Sequence, residues 1–120
     1  MDDEEVKAMI DAALSNPTAD GSMRGMINAV GMDYAVAKMH SVPLALTYAQ
    51  AAVASDPGSV ALRSNLIHLL LQANKPGDAR REYMMLVESP HPARDRPILN
   101  DLKTLFEAMG KSANANKQVG

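Results

Sequence analysis

Three histidines, His40, His68 and His91, are the side chains in this sequence best suited to general acid–base work or to holding a metal ion. Imidazole titrates near neutrality, and two imidazoles three or four residues apart on a helix can grip a cation from one face. No HxxxH, HExxH or His–carboxylate pair at such spacing occurs. His40 and His91 fall in predicted turns and His68 on a predicted helix, so a metal site would need the fold alone to assemble it. Nucleophilic chemistry fares no better. There is no cysteine, no GxSxG, no phosphate-binding glycine loop and no GxGxxG; Gly21 and Gly25 make a GxxxG outside any long apolar span. Glu82 and Glu88 are not spaced to face each other on a helix, and Pro17 spoils Asn16-Pro17-Thr18 as a glycosylation acceptor. The expectation is a protein that is not an enzyme, with no catalytic residues, no metal and no cofactor. The enzymatic alternative is a hydrolase or metal enzyme built on His68 and an acid from a neighbouring helix.

What remains is surface and packing. The 120 residues suit one domain, and their 47% apolar and 22% charged content is that of a globular chain. Only Tyr34, Tyr48, Tyr83 and Phe106 are aromatic, against nine methionines and many alanines. A core of small and unbranched side chains favours close helix–helix contact over a sheet face, where β-branched and aromatic residues are enriched. The net charge is −2, unevenly placed: residues 1–20 carry six acids against Lys7, a balance of −5, which leaves +3 for the rest. Nucleic-acid binding calls for clustered cations and stacking aromatics, so no nucleic-acid partner is expected. Arg80-Arg81 and Arg94/Arg96 read as solvated faces and helix-end charges. With no run of 18 apolar residues and an acidic start, the chain is expected neither to insert in a membrane nor to carry an export signal of its own.

Apolar residues recur at helical spacing throughout. A first helix from Asp2 to about Ser15 places Val6, Met9, Ile10, Ala13 and Leu14 on one face, with an acidic first turn that complements the helix dipole. After a loop around Asp20-Gly21, a second helix from Met23 to Met39 aligns Ala29, Met32, Val36 and Met39. Gly25 and Gly31 weaken it by about 1 kcal/mol each relative to alanine, a cost that close backbone packing would explain. Pro43 opens an alanine-rich third helix that ends near Ser55, and Ser59 caps a fourth from Val60 to Ala73 whose Leu66–Leu71 run marks the buried centre. A fifth runs to Glu88 with Ala79, Tyr83, Leu86 and Val87 inward. Residues 89–96 form a linker, and a sixth helix from Pro97 sets Ile98, Leu102, Leu105 and Met109 on one face until Gly110 closes it. Residues 111–120 read as a frayed, flexible tail. Met23, Met26, Met32 and Met39 suit an adaptable binding face, although at helical spacing most belong to the core.

Ala45 and Ala79 stand 34 residues apart in the same place within a helix–turn–helix unit, and Pro57 and Pro90, which close the units, stand 33 apart, Pro90 one residue early. Ala49/Tyr83 and Ala52/Leu86 follow the same register. In these residues the stretch 26–91 resembles the tetratricopeptide repeat, with two degenerate units at 23–57 and 59–91, a flanking helix at 1–16 that looks like the second helix of an earlier unit, and a cap at 95–110; Asn65-Leu66 stands where the family usually has an Asn-Leu pair. Departures are Ala29 and Arg63 where the family favours a large aromatic, Asp33 and Ile67 where it favours a small residue, and His40 and Asn74 where glycine usually ends the first helix. The resemblance implies an all-α domain of about six helices, in antiparallel pairs stacked as a short right-handed superhelix. It also implies a concave, non-catalytic groove that binds a peptide or partner protein. Carried across position by position, that groove comprises Ile27, Val30, Tyr34, Ala37 and Lys38, then Ala61, Ser64, Asn65, His68, Leu71 and Gln72. Tyr34, Ser64, His68 and Gln72 would offer hydrogen bonds, and Ile27, Val30 and Leu71 apolar contact. Only Lys38 and Asn65 suit the clamp that some members use on a peptide's terminal carboxylate, so carboxylate capture is not expected. The alternative function is a soluble terminal domain of a larger membrane or envelope protein that organises or dimerises an assembly. Homo-oligomerisation is compatible with either.

Overall fold

Side chains that cap and side chains that vanish into contacts account for most of this architecture. The computed structural model describes residues 2–90 and 93–119, with His91 and Pro92 outside the described residues. Six α-helices follow in order: α1 (Asp3–Leu14), α2 (Gly21–Ala37), α3 (Val42–Ser55), α4 (Val60–Gln72), α5 (Pro76–Glu88) and α6 (Arg96–Val119), with a single 3₁₀ turn over Ala93–Asp95. No strand occurs among the described residues, so the domain is all-α. Four of the helices start on an acceptor side chain that takes an otherwise unpaired backbone N–H: Asp2, Asp20, Ser41 and Ser59 accept from Glu5, Met23, Leu44 and Leu62. Asp20 thereby starts α2 two residues ahead of the Met23 expected from periodicity. Pro76 opens α5, where its missing N–H costs nothing.

The 34-residue recurrence is repeated in the backbone. His40 and Asn74 are the two non-glycine residues with positive φ among those described, at 51° and 60°, and each ends the first helix of a pair. The α3 and α5 first turns match as well, with Ala45 N–H donating to Ser41 and Ala79 N–H donating to Lys75. Ala45 and Ala79 are both wholly buried.

Helices α2 and α3 run antiparallel in the closest contact of the fold. Gly21 lies beside the Ser55 carbonyl, Gly25 beside Ala52 and the Leu62 side chain of α4, and Gly31 beneath the Tyr48 ring. Buried Gly25, Asn28, Met32 and Ala35 recur at steps of three and four along α2, opposite buried Ala45, Ala49 and Ala52 of α3. The glycines are thus required for backbone approach. A Cβ on Gly21 would sit 2.3 Å from the Ser55 carbonyl oxygen, a backbone atom that cannot swing aside. Gly21→Ala should therefore lower stability by about 1–2 kcal/mol in a urea titration, the opposite sign from the roughly 1 kcal/mol gain that helix propensity alone predicts.

Helix α4 is the centre, as expected: it contacts α3, α5 and α6 and buries Val60, Leu66, Ile67, Leu69 and Leu70. Helix α6 closes the far end with Leu102 fully buried and Ile98, Leu99 and Phe106 against the core. The described fold measures 52 × 33 × 19 Å. Its thinnest dimension is about two helix diameters, one layer of helix pairs. No helix among the described residues is long and apolar enough to cross a membrane.

Three expectations are corrected. Helix α6 does not close at Gly110 but runs on to Val119, since residues 111–119 contain no proline and a single interior glycine costs only about 1 kcal/mol. Met9 and Val87, expected inward, lie largely exposed, and so does Val36. Helix α1 rests on α2 and buries only Ile10, and α5 buries only Ala79 and Leu86, so neither helix hides a full apolar face.

Candidate partner-binding surface

Helix α1 lies antiparallel to α2 and is held at both ends. At one end the Arg24 guanidinium donates to the backbone carbonyls of Leu14 at 2.6 Å, Ala19 at 3.1 Å and Asn16 at 3.2 Å. A cation there satisfies the carbonyls that the end of α1 leaves open and complements its dipole. At the other end Tyr34 Oη donates to the Asp3 carboxylate at 2.7 Å.

Between these ties Met9, Ile10, Ala13, Ile27 and Val30 line an open apolar groove of ≈ 220 Å³. Ile10 is its buried floor, while Met9 is 56% exposed and Val30 61%. Met23 and Met26, one helical turn before Ile27 and Val30, are also exposed, Met26 to 66%. Of the four methionines considered from sequence, Met32 is buried and Met39 half-buried, whereas Met23 and Met26 face outward. These apolar side chains on neighbouring turns form a patch, and an exposed apolar patch on a folded domain marks an interaction surface more often than scattered single residues do.

The Tyr34–Asp3 bond carries a titration signature. The phenol of Tyr34 is held above its ordinary 10.0, first by donating to the Asp3 carboxylate, then by partial desolvation and the charges of Asp3 and Asp2. Burial, then the charge of Asp11, raises Tyr48 as well. A raised tyrosine pKa means that the neutral, donating form is favoured in the fold. The tie between α1 and α2 is thus complete below pH 10 and is lost as pH rises through the raised value. Asp3→Ala should return the Tyr34 midpoint towards 10.0 in a spectroscopic tyrosinate titration, leaving Tyr48 raised.

The other expected groove positions are distributed differently. Lys38 is exposed and caps the end of α2, and Ala37 is exposed beside it. On α4, Ser64 is buried, Leu71 packs against the core, Asn65 is half-buried, and Ala61, His68 and Gln72 are exposed. Gln72 borders a second groove with Val42, Pro43, Leu46, Ala73, Asn74 and Lys75, at the mouth between α3 and α4. The α2 positions Ile27, Val30 and Tyr34 thus meet α1.

No family model, no curated protein and no solved structure matches the chain.

Among the described residues no three His, Asp or Glu side chains converge as metal ligands, and His68 lies exposed on α4. Two polar features escaped the sequence reading. Arg24 is one, foreshadowed only by its place one turn into a helix that follows a short loop. The other is Arg63, buried in α4, which donates to Glu82 at 2.5 Å and to the Pro57 carbonyl at 3.2 Å. A lone arginine in the most apolar helix, at a position where the resembled family carries a large aromatic, was the available signal. On the far side, Tyr83 and Phe106 stack with centroids 4.8 Å apart beside Arg80, Met84, Lys103 and Glu107.

Proposed function

We propose that this chain is a non-catalytic interaction module, a short array of tetratricopeptide-like helix pairs that binds a partner protein or peptide. The observation that carries it is the apolar groove between α1 and α2, with Met9 and Val30 exposed around buried Ile10 and Met26 exposed one turn before Val30 on α2. Support for the repeat comes from the left-handed turns at His40 and Asn74 and the buried alanines at Ala45 and Ala79, each 34 residues apart. Two of the groove positions that the resemblance implies, Ile27 and Val30, line this surface. An adaptable methionine surface accommodates partners of varied shape with little loss of complementarity.

Affinity capture from the native host tests the proposal. Val30 is exposed, so Val30→Glu should leave the fold intact while placing a charge in the apolar contact. Partners recovered by the wild-type chain should be lost with Val30→Glu. A His68→Ala/Gln72→Ala variant run beside it reports whether binding extends across the exposed α4 positions; equal recovery would confine it to the α1–α2 groove. Equal recovery by Val30→Glu would overturn the proposal.

A further inference from the structure

We propose that the occupant of the α1–α2 groove is a basic amphipathic helix of the partner. This rests on the interaction-module proposal above and adds the partner's chemistry. The groove spans one turn of each helix, Met9 to Ala13 on α1 and Ile27 to Val30 on α2, and exposed Met23 and Met26 carry the apolar face on along α2, so that from Met23 to Val30 it is about 10 Å long, two turns of a second helix laid beside it. Its lining is aliphatic and thioether, with no buried polar group that would demand one extended backbone register.

The charge around it points to the sign of the occupant. Asp2, Glu5 and Met9 follow one another at helical spacing on α1, and Asp33 lies three residues beyond Val30 on α2. The start of α1 and the end of α2 meet at the Tyr34–Asp3 bond, so these acids gather at one mouth of the groove. By helical spacing that mouth holds Asp2, Asp3, Glu5 and Asp33 against Lys38, a net charge of −3, while Glu4 and Lys7 lie off the groove face of α1. Among the described residues the ion pairs are Arg63–Glu82 and Arg81–Asp78, so none of these four acids is ion-paired with a described cation.

Helix stability explains part of this cluster and leaves the rest. Asp3, Glu4 and Glu5 favour the start of α1 through its dipole. Asp33 gains nothing from a helix dipole: it lies in the second half of α2, away from that helix's positive pole. An apolar floor with an acidic mouth is complementary to a helix carrying apolar residues at i, i+3, i+4 and i+7 and lysine or arginine on its flanks. The same acids repel nucleic acid and anionic lipid surfaces.

Fluorescence anisotropy with three labelled model helices of about four turns decides the matter, one with leucine on one face and lysine on the other, and two with glutamate or glutamine in place of lysine. The leucine/lysine helix should bind at least about tenfold more tightly than the leucine/glutamate helix, and added salt should weaken it. Val30→Glu and Met26→Glu should each weaken it by about tenfold even though they add an acid, whereas Met84→Glu on α5 should not weaken it. Circular dichroism of each variant confirms the fold. If Val30→Glu and Met26→Glu bind the lysine helix as well as wild type or better, the contact is charge attraction alone and the proposal falls. If the glutamine or glutamate helix binds equally and in a Val30-dependent way, the basic partner is wrong while the interaction module stands. If no helix binds but capture from the host still depends on Val30, the amphipathic-helix class is wrong and the module again stands.

Discussion

Ala45→Trp and Ala79→Trp should each destabilise the protein by about 1–3 kcal/mol, seen as a fall in the urea midpoint without a change in slope. Both alanines are wholly buried at equivalent places in the second helix of a pair, where the first helix comes closest. Ala45 lies on the buried Ala45–Ala49–Ala52 face of α3 that takes the close approach of α2, and that interface has no slack to take an indole. Ala79 instead lies on α5, which packs on α4, and belongs to the same core. For a domain of this size, about 1 kcal/mol corresponds to roughly 4 °C in Tm. Ala54→Trp supplies the control. That residue is on the exposed side of α3, and its substitution should change stability by no more than about 0.5 kcal/mol. Equal stability for all three variants would mean that Ala45 and Ala79 are not close contacts.

The second large effect concerns Arg63 and Glu82. Removing Glu82 with Glu82→Ala leaves the Arg63 guanidinium, whose side chain is 9% accessible, without its carboxylate. Breaking a fully buried pair from one side costs about 3–5 kcal/mol, and here the Glu82 side chain is 25% accessible and the Pro57 carbonyl still accepts from Arg63, so a loss of about 2–3 kcal/mol is expected. Replacing both partners should behave differently. Arg63→Met with Glu82→Met removes the desolvation cost together with the attraction and should return stability to within about 1 kcal/mol of wild type. A double variant as unstable as Glu82→Ala would show that Arg63 stabilises the fold through its bond to Pro57 in the turn before α4 and its contact with Met85 of α5 rather than through the ion pair.

Patterns that depend on one helix and its immediate turn were readable before any coordinates. Six helices, the Ser59 start, the buried centre within Leu66–Leu70 and the left-handed end at Asn74 all follow from local chemistry, because a cap or a positive φ is satisfied within a few residues of its cause, whereas α3 starts on Ser41 and Val42, ahead of the Pro43 expected to open it. What was not readable depends on how many neighbours a helix meets. Met9 and Val87 carry the right spacing for burial, yet α1 and α5 bury only narrow stripes and these residues stay at the surface. The same cause shapes the binding surface. Ile27 and Val30 were identified as groove positions, but their companions across the groove, Met9, Ile10 and Ala13, come from α1 and not from α4. Arg63 was visible only as a misfit, since its partner Glu82 lies 19 residues away on the next helix. The end of α6 is a separate lesson: an isolated glycine without a following proline weakens a helix but does not stop it.

Methionine methyl NMR tests the binding surface most directly, because the nine methionines are spread over the chain and report from the groove, the core and the far side at once. On titration with the leucine/lysine helix, the methyl resonances of Met9, Met23 and Met26 should move together and saturate, while those of buried Met32 and of Met84 and Met85 on α5 should hold still. Saturating shifts confined to Met84 and Met85, with Met9 and Met26 unmoved, would contradict a binding face between α1 and α2.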